Sequence, residues 1–212
     1  MVHSRAEHWN GVYLQKRDDE TSWFQAFPET SLQLLSHARL AADAQVIDVG
    51  AGRSRLVEGL IDRGMEHVTL LDLSGQALAS TRERLGERGH SVAFIAGDVT
   101  AFTPPRAYDA WHDRAVFHFL VSPEDRAQYV AVLEKALRPG GHVVLGTFAL
   151  DGPAKCSGLP VARYDARGLA EALGLGFALE ESTRDLHVTP SGKLQPFTFA
   201  RFVKVPRTPP AA

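Results

Sequence analysis

The chain has 212 residues, with 23 lysines and arginines against 25 aspartates and glutamates, a formal net charge of −2, and a single cysteine. One thiol excludes an internal disulfide framework and a cysteine-built zinc site, and no apolar run approaches the roughly 18–20 residues of a membrane span. The N-terminus carries no signal-like apolar stretch, and the near-even charge argues against a nucleic-acid binder that relies on bulk electrostatics, so composition points to a soluble cytoplasmic protein.

The stretch before Ala44 reads as mostly helical and gathers the aromatic residues Trp9, Tyr13, Trp23 and Phe24. Trp9 and Tyr13 are four residues apart, which places them on one helical face. From Ala44 onward short β-branched runs alternate with helical patterns. Gln45–Gly50 is a strand ending at glycine, and Ser54–Arg63 is a helix with Leu56, Leu60 and Ile61 near one face. His67–Asp72 is a second strand, followed by an amphipathic helix over Gly75–Arg88 with Ser74 as N-cap. Ser91–Asp98 and Tyr108–Val116 carry the third and fourth strands. Ser122 and Pro123 open a helix that runs to Leu137, and Pro139-Gly140-Gly141 stops it before the strand His142–Phe148.

A short helix follows around Ala166–Leu173. Phe177–Thr189 and Pro196–Val205 flank a turn-rich segment and read as a hairpin. Strands separated by helices imply parallel pairing with right-handed crossovers. The expected architecture is therefore α/β: a doubly wound, mostly parallel sheet closed by a C-terminal antiparallel hairpin. It divides into a helical cap or lid over residues 1–43, one domain over 44–205, and a Pro-rich tail over 206–212 expected to be disordered.

The strongest constellation is Val46–Ser54, VIDVGAGRS, with Asp72 twenty-two residues after Gly50. A glycine turn between strand and helix lets a ligand approach backbone, and an acid ending the next strand is placed for a ribose diol. A dinucleotide fingerprint would need a third glycine where Arg55 stands, and neither a P-loop nor a nucleophile elbow is present. With these residues in order, the chain resembles the class I S-adenosylmethionine-dependent methyltransferases, which have a Rossmann-like sheet. VIDVGAG carries Asp48, Gly50, Ala51 and Gly52 in the places of the first motif; LLDLS carries Asp72 and Leu73 in the second; AGDV carries Gly97, Asp98 and Val99 in the third. LRPGGHVVL fits the loop and fifth strand. Ser54 departs from the third glycine that many members carry.

The resemblance implies S-adenosyl-L-methionine as cofactor, with Asp72 on the ribose hydroxyls, Asp98 on the adenine amine and Val99 against the ring. It also implies a lid in which Tyr13 and Trp23 meet the cofactor. Methyl transfer needs a nucleophile placed roughly 3 Å from the methyl and water kept out. Amide and adenine methylases of this family carry D/N-P-P-Y/F after the fourth strand, whereas this chain has His112-Asp113-Arg114-Ala115, which counts against base methylation. Asp113, Arg114 and His118 are the candidate catalytic residues there, and Phe117, Cys156 and His187 the candidate substrate contacts; no metal site is expected. The reading is methyl transfer to a small molecule. Protein lysine methylation is the alternative, a non-catalytic nucleotide-binding protein is a third, and a nicotinamide-dependent reductase is disfavoured by Arg55.

Overall fold

The computed structural model describes residues 5–206; the tail expected to be disordered lies, beyond Pro206, outside the described residues. Helices α1 (Arg5–Gln15) and α2 (Glu29–His37) precede the alternating region. There follow β1 (Gln45–Val49), α3 (Leu56–Ile61), β2 (His67–Asp72), α4 (Gly75–Leu85), β3 (Val92–Ala96), β4 (Tyr108–Arg114), α5 (Pro123–Ala136) and β5 (Leu137–Phe148). A two-stranded ribbon, β6 (Lys155–Cys156) with β7 (Leu159–Pro160), leads to α6 (Ala166–Leu173), and the chain closes with β8 (Phe177–Val188) and β9 (Leu194–Lys204).

The main sheet has the order β3-β2-β1-β4-β5-β9-β8. Its first five strands pair in parallel, and β9 enters antiparallel between β5 and β8. Strand order reverses between β1 and β4, so a crevice opens there at the carboxyl ends of the strands.

Alternation along the strands builds one core on each face. Val46, Ala110 and Val144 pack with Leu32 and Leu35 of α2, Leu56 and Leu60 of α3, and Leu78 of α4. Ile47, Val49, Trp111, Val143 and Leu145 pack on the other face with Tyr129 and Leu133 of α5 and Leu169 of α6. Sheets covered on both faces need near-continuous apolar strands, which the segments VIDV and HVVL supply. Gly146 gives way to the Phe199 ring, which a Cβ there would approach to 2.5 Å.

Two local features depart from the sequence reading. β5 begins at Leu137, five residues before His142, because Leu137 pairs with Tyr108 and the register then shifts before Ala110 meets His142. The Pro-Gly-Gly turn is thus a bulge inside the strand: Gly140 has φ +76°, and a Cβ on Gly141 would lie 2.8 Å from the Leu137 side chain. The ribbon β6–β7 is absent from the sequence reading, being only two residues a side. The caps expected at Ser74 and Ser122 form, their hydroxyls accepting from the amides of Ala77 at 3.1 Å and Asp125 at 3.0 Å.

Leu133 is fully enclosed in the α5 face of the core. Leu133→Ala should lower unfolding free energy by about 2–5 kcal/mol, measured by urea denaturation; a change under about 1 kcal/mol would mean that this face is loosely packed.

Candidate active site

The crevice at the switch point holds a cavity, where open α/β sheets take their ligands. It runs from Leu73, Gly97, Asp98 and Val99, past Asp72 and Gly50, to a far end of Arg114, Val116, Phe119 and Cys156. Trp9, Tyr13 and Trp23 line it from the N-terminal segment. A second cavity lies beside the glycine loop, lined by Asp48, Ala51, Ser54, His112 and Arg114 among others.

Asp72 organises the near side. One carboxylate oxygen accepts from the Gly52 amide at 2.8 Å and the other from the Ser74 amide at 2.7 Å. Each oxygen keeps further acceptor capacity. Burial raises the group to about 6, against the lowering effect of those two amides. The amides of Gly50 and Ala51 both point to the Leu71 carbonyl, at 2.7 and 3.2 Å. The amides of Gly50, Ala51 and Gly52 are therefore all spent on the end of β2.

Both loop glycines are required. Gly50 has φ +63° and Gly52 φ +49°; a Cβ on Gly50 would fall 1.9 Å from Val116 Cγ2, and one on Gly52 2.2 Å from the Tyr13 hydroxyl. The buried phenol of Tyr13 thus lies directly on the loop. Burial, then the nearby Asp72, holds its pKa well above the usual value.

Helix α1 is tied down at both ends. Arg53 donates to the carbonyls of Tyr13 at 2.7 Å and Lys16 at 2.9 Å, satisfying its last turn. At the other end Arg5 bonds Asp125 and lies 3.8 Å from Asp98, while Ser74 donates to Asn10 at 2.7 Å. Trp9 meets Trp23 and Phe119 edge to face, with ring centres 5.8 and 5.1 Å apart.

Asp98 bonds the Thr100 amide at 2.8 Å and hydroxyl at 2.7 Å through Oδ1. Asp48 is buried; its Oδ1 accepts from His112 Nδ1 at 2.7 Å, and His112 Nε2 meets the Ser31 hydroxyl at 2.9 Å. Its Oδ2 is buried with no hydrogen-bond partner among the described residues.

Four of the residues expected at the acceptor end are placed elsewhere. Asp113 is fully buried on the opposite face of the sheet and accepts from the amides of Val116 at 2.9 Å and Phe117 at 3.0 Å and from the Tyr129 hydroxyl at 2.7 Å. It braces the turn in which Ala115 takes φ +72°. Phe117 is core, against Tyr129 and Tyr164. His118 is also enclosed, between Phe119 and Phe148; burial and then Arg114 lower it to about 3, so it stays neutral. His187 is buried and spends Nε2 on the Ser22 carbonyl at 2.8 Å. Arg114 and Cys156 do line the cavity; burial raises the Cys156 thiol to about 11, against the pull of Arg114.

Phe119 and Val116 were not expected among the site residues, whereas Trp9 belongs to the expected aromatic cap. The alternation that sends Trp111 and Asp113 to one face and His112 and Arg114 to the other was the signal available for separating Asp113 from Arg114.

The comparisons agree with this geometry. A protein-family model described as a methyltransferase domain matches residues 46–141. The trans-aconitate 2-methyltransferase of Methylobacterium nodulans is 33% identical over 135 residues, covering 63% of this chain and 47% of that protein. The EEF1A lysine methyltransferase 2 of Danio rerio is 26% identical over 158 residues, 66% of each. The tRNA U34 carboxymethyltransferase of Shewanella pealeana is 28% identical over 134 residues, 62% of this chain; the chain spans only 40% of that relative's length. Among solved structures, the Burkholderia thailandensis 1,6-didemethyltoxoflavin-N1-methyltransferase, with bound 1,6-didemethyltoxoflavin and S-adenosylhomocysteine, superposes with a TM-score of 0.71 at 25% identity, over 95% of this chain and 85% of that one. Residues 46–141 thus match a methyltransferase domain, and the mostly parallel sheet with its C-terminal antiparallel hairpin is the class I S-adenosylmethionine-dependent methyltransferase fold. Among the described residues no helix is long and apolar enough to cross a membrane.

Asp72 and Asp113 both rise to about 6 from an ordinary carboxyl value. Between about pH 4 and 6 the folded chain keeps protons there that the unfolded chain releases, so these groups lower stability as pH rises, by ~2–3 kcal/mol each. Urea melts from pH 4 to 7 should show a shallower fall for Asp113→Asn than for wild type; parallel curves would contradict the assignment.

Proposed function

We propose that the domain transfers the methyl group of S-adenosylmethionine to a nucleophile on a small molecule. The observation that carries this reading is the aromatic lining of this end of the cavity, where Trp9 and Trp23 of the N-terminal segment stand with Phe119 and Cys156. This wall suits a small, enclosed guest better than a protein chain.

The residues present fit the cofactor. Asp72 has acceptor capacity left for a ribose diol, and Leu73, Gly97, Asp98 and Val99 form an edge for the base. The unpartnered Oδ2 of Asp48 suits an ammonium group, since a buried carboxylate oxygen without a donor is costly. Tyr13, Trp9 and Trp23 offer aromatic faces, which favour a cation. Residues 5–43 act as a cap that excludes water while these contacts are made.

When bound, S-adenosylmethionine supplies an electrophilic methyl group and its own leaving group. The chain then has to position the acceptor and keep water away. No free general base faces the acceptor end among the described residues: the Asp113 carboxylate is engaged, His118 is enclosed, and Cys156 holds its proton. The acceptor must therefore bring a lone pair that is already available, as a soft or ionised nucleophile does.

Labelled S-adenosylmethionine incubated with small thiols, amines, phenols and carboxylates, and separately with a protein lysate, tests the reading. Label should enter the small molecules; label confined to protein would favour lysine methylation, and none in either would favour a non-catalytic binding protein. Asp72→Ala should weaken S-adenosylhomocysteine binding by about 1.5–3 kcal/mol, by calorimetry; unchanged affinity would mean that the ribose is held elsewhere.

A further inference from the structure

Arg114 is a permanent cation whose counter-charge is missing. At the end of β4 its Nη1 donates to the Trp23 carbonyl at 2.9 Å, and its guanidinium lies 4.8 Å over the Phe197 ring. Its Nε and Nη2 are buried and meet no acceptor among the described residues. Every neighbouring group that could carry negative charge fails to pair with it. Cys156 is a protonated thiol, and Asp185 and Asp48 act on it only through space, opposing the burial that lowers it to about 10. His118 and His187 are neutral, each lowered by burial and then by Arg114 itself.

A buried charge with unfilled donors is expensive. Nε and Nη2 form one edge of the guanidinium, the planar fork that matches two oxygens of a carboxylate. The residue lines the cavity where Phe119 and Cys156 stand, the end remote from Asp98 and Val99.

We propose that Arg114 recognises a carboxylate, or an oxyanion of the same shape, on the small-molecule acceptor, and so sets the acceptor class as anionic. This inference rests on the small-molecule reading above. The same chemistry has a second source, the cofactor's own carboxylate, because Arg114 also borders the cavity beside the glycine loop. The acceptor is favoured because the ammonium-seeking Asp48 oxygen and the glycine loop already flank that second cavity, while of the two arginines that line the first, Arg5 is paired with Asp125 beside Asp98 and Arg114 keeps buried donors without an acceptor among the described residues.

The test uses protein saturated with S-adenosylhomocysteine and matched probes, benzoate against benzamide and succinate against succinamide, followed by calorimetry. Wild type should bind at least one acid about tenfold or more tighter than its amide. Arg114→Gln should abolish that discrimination while S-adenosylhomocysteine affinity stays within about twofold, and Arg114→Lys should retain part of it as a point charge. A merely structural role for Arg114 would weaken acid and amide together and leave their ratio unchanged. Wild-type protein that prefers none of the acids overturns the proposal. So does an Arg114→Gln variant that loses S-adenosylhomocysteine affinity while keeping the acid preference, which assigns the guanidinium to the cofactor. Discrimination that persists while a lysate screen labels only protein would remove the small-molecule reading and leave the anion site standing.

Discussion

The site depends on one buried carboxylate shared between two loops. Asp72 ends β2, and its two oxygens take the amides of Gly52 and Ser74, so the loop after β1 and the start of α4 are set by the same group. Those amides also hold the negative charge in place against burial. The Leu71 carbonyl, one residue earlier, takes the amides of Gly50 and Ala51. The glycine loop is thus bound to the neighbouring strand, and its sharp turn is available for the close approach of side chains from above.

Two side chains use that approach. Val116 fills the space that a Cβ on Gly50 would need, and the Tyr13 hydroxyl fills the space over Gly52. The first fixes the turn after β4 against β1, with Asp113 bracing it from beneath. The second seats the N-terminal cap, which Arg53 holds by the carbonyls at the end of α1. Cap, glycine loop and acceptor turn are therefore parts of one packed unit. The far end of the cavity keeps its charged group, Arg114, inside that unit instead of on its surface.

Much of this was legible in the sequence because parallel strands and their glycine, acid and Pro-Gly punctuation are local signals. The order of five strands, the caps at Ser74 and Ser122, and the antiparallel final hairpin could be read without long-range information. The start of β5 could not, because its bulge is defined by the pairing of Leu137 with Tyr108. Nor could the role of Asp113: adjacent residues on a strand face opposite sides of a sheet, and which side meets the crevice is decided by packing against Tyr129 and Trp111. Phe117 and Phe119 separate across a single 3-10 turn after β4, one into the core and one onto the cavity wall. His118 and His187 are polar residues satisfied or enclosed by chain that is distant in sequence, which no local pattern announces.

If Asp72 receives the ribose of the cofactor, binding and protonation are linked at this carboxylate. Donors arriving at a carboxylate that titrates near 6 favour its ionised form, so binding must release protons. Titrating S-adenosylhomocysteine at pH 6 in buffers of different ionisation enthalpy should give a release of about half a proton per site, absent in Asp72→Asn. Binding with no proton release, or with the same release in the variant, would contradict the account.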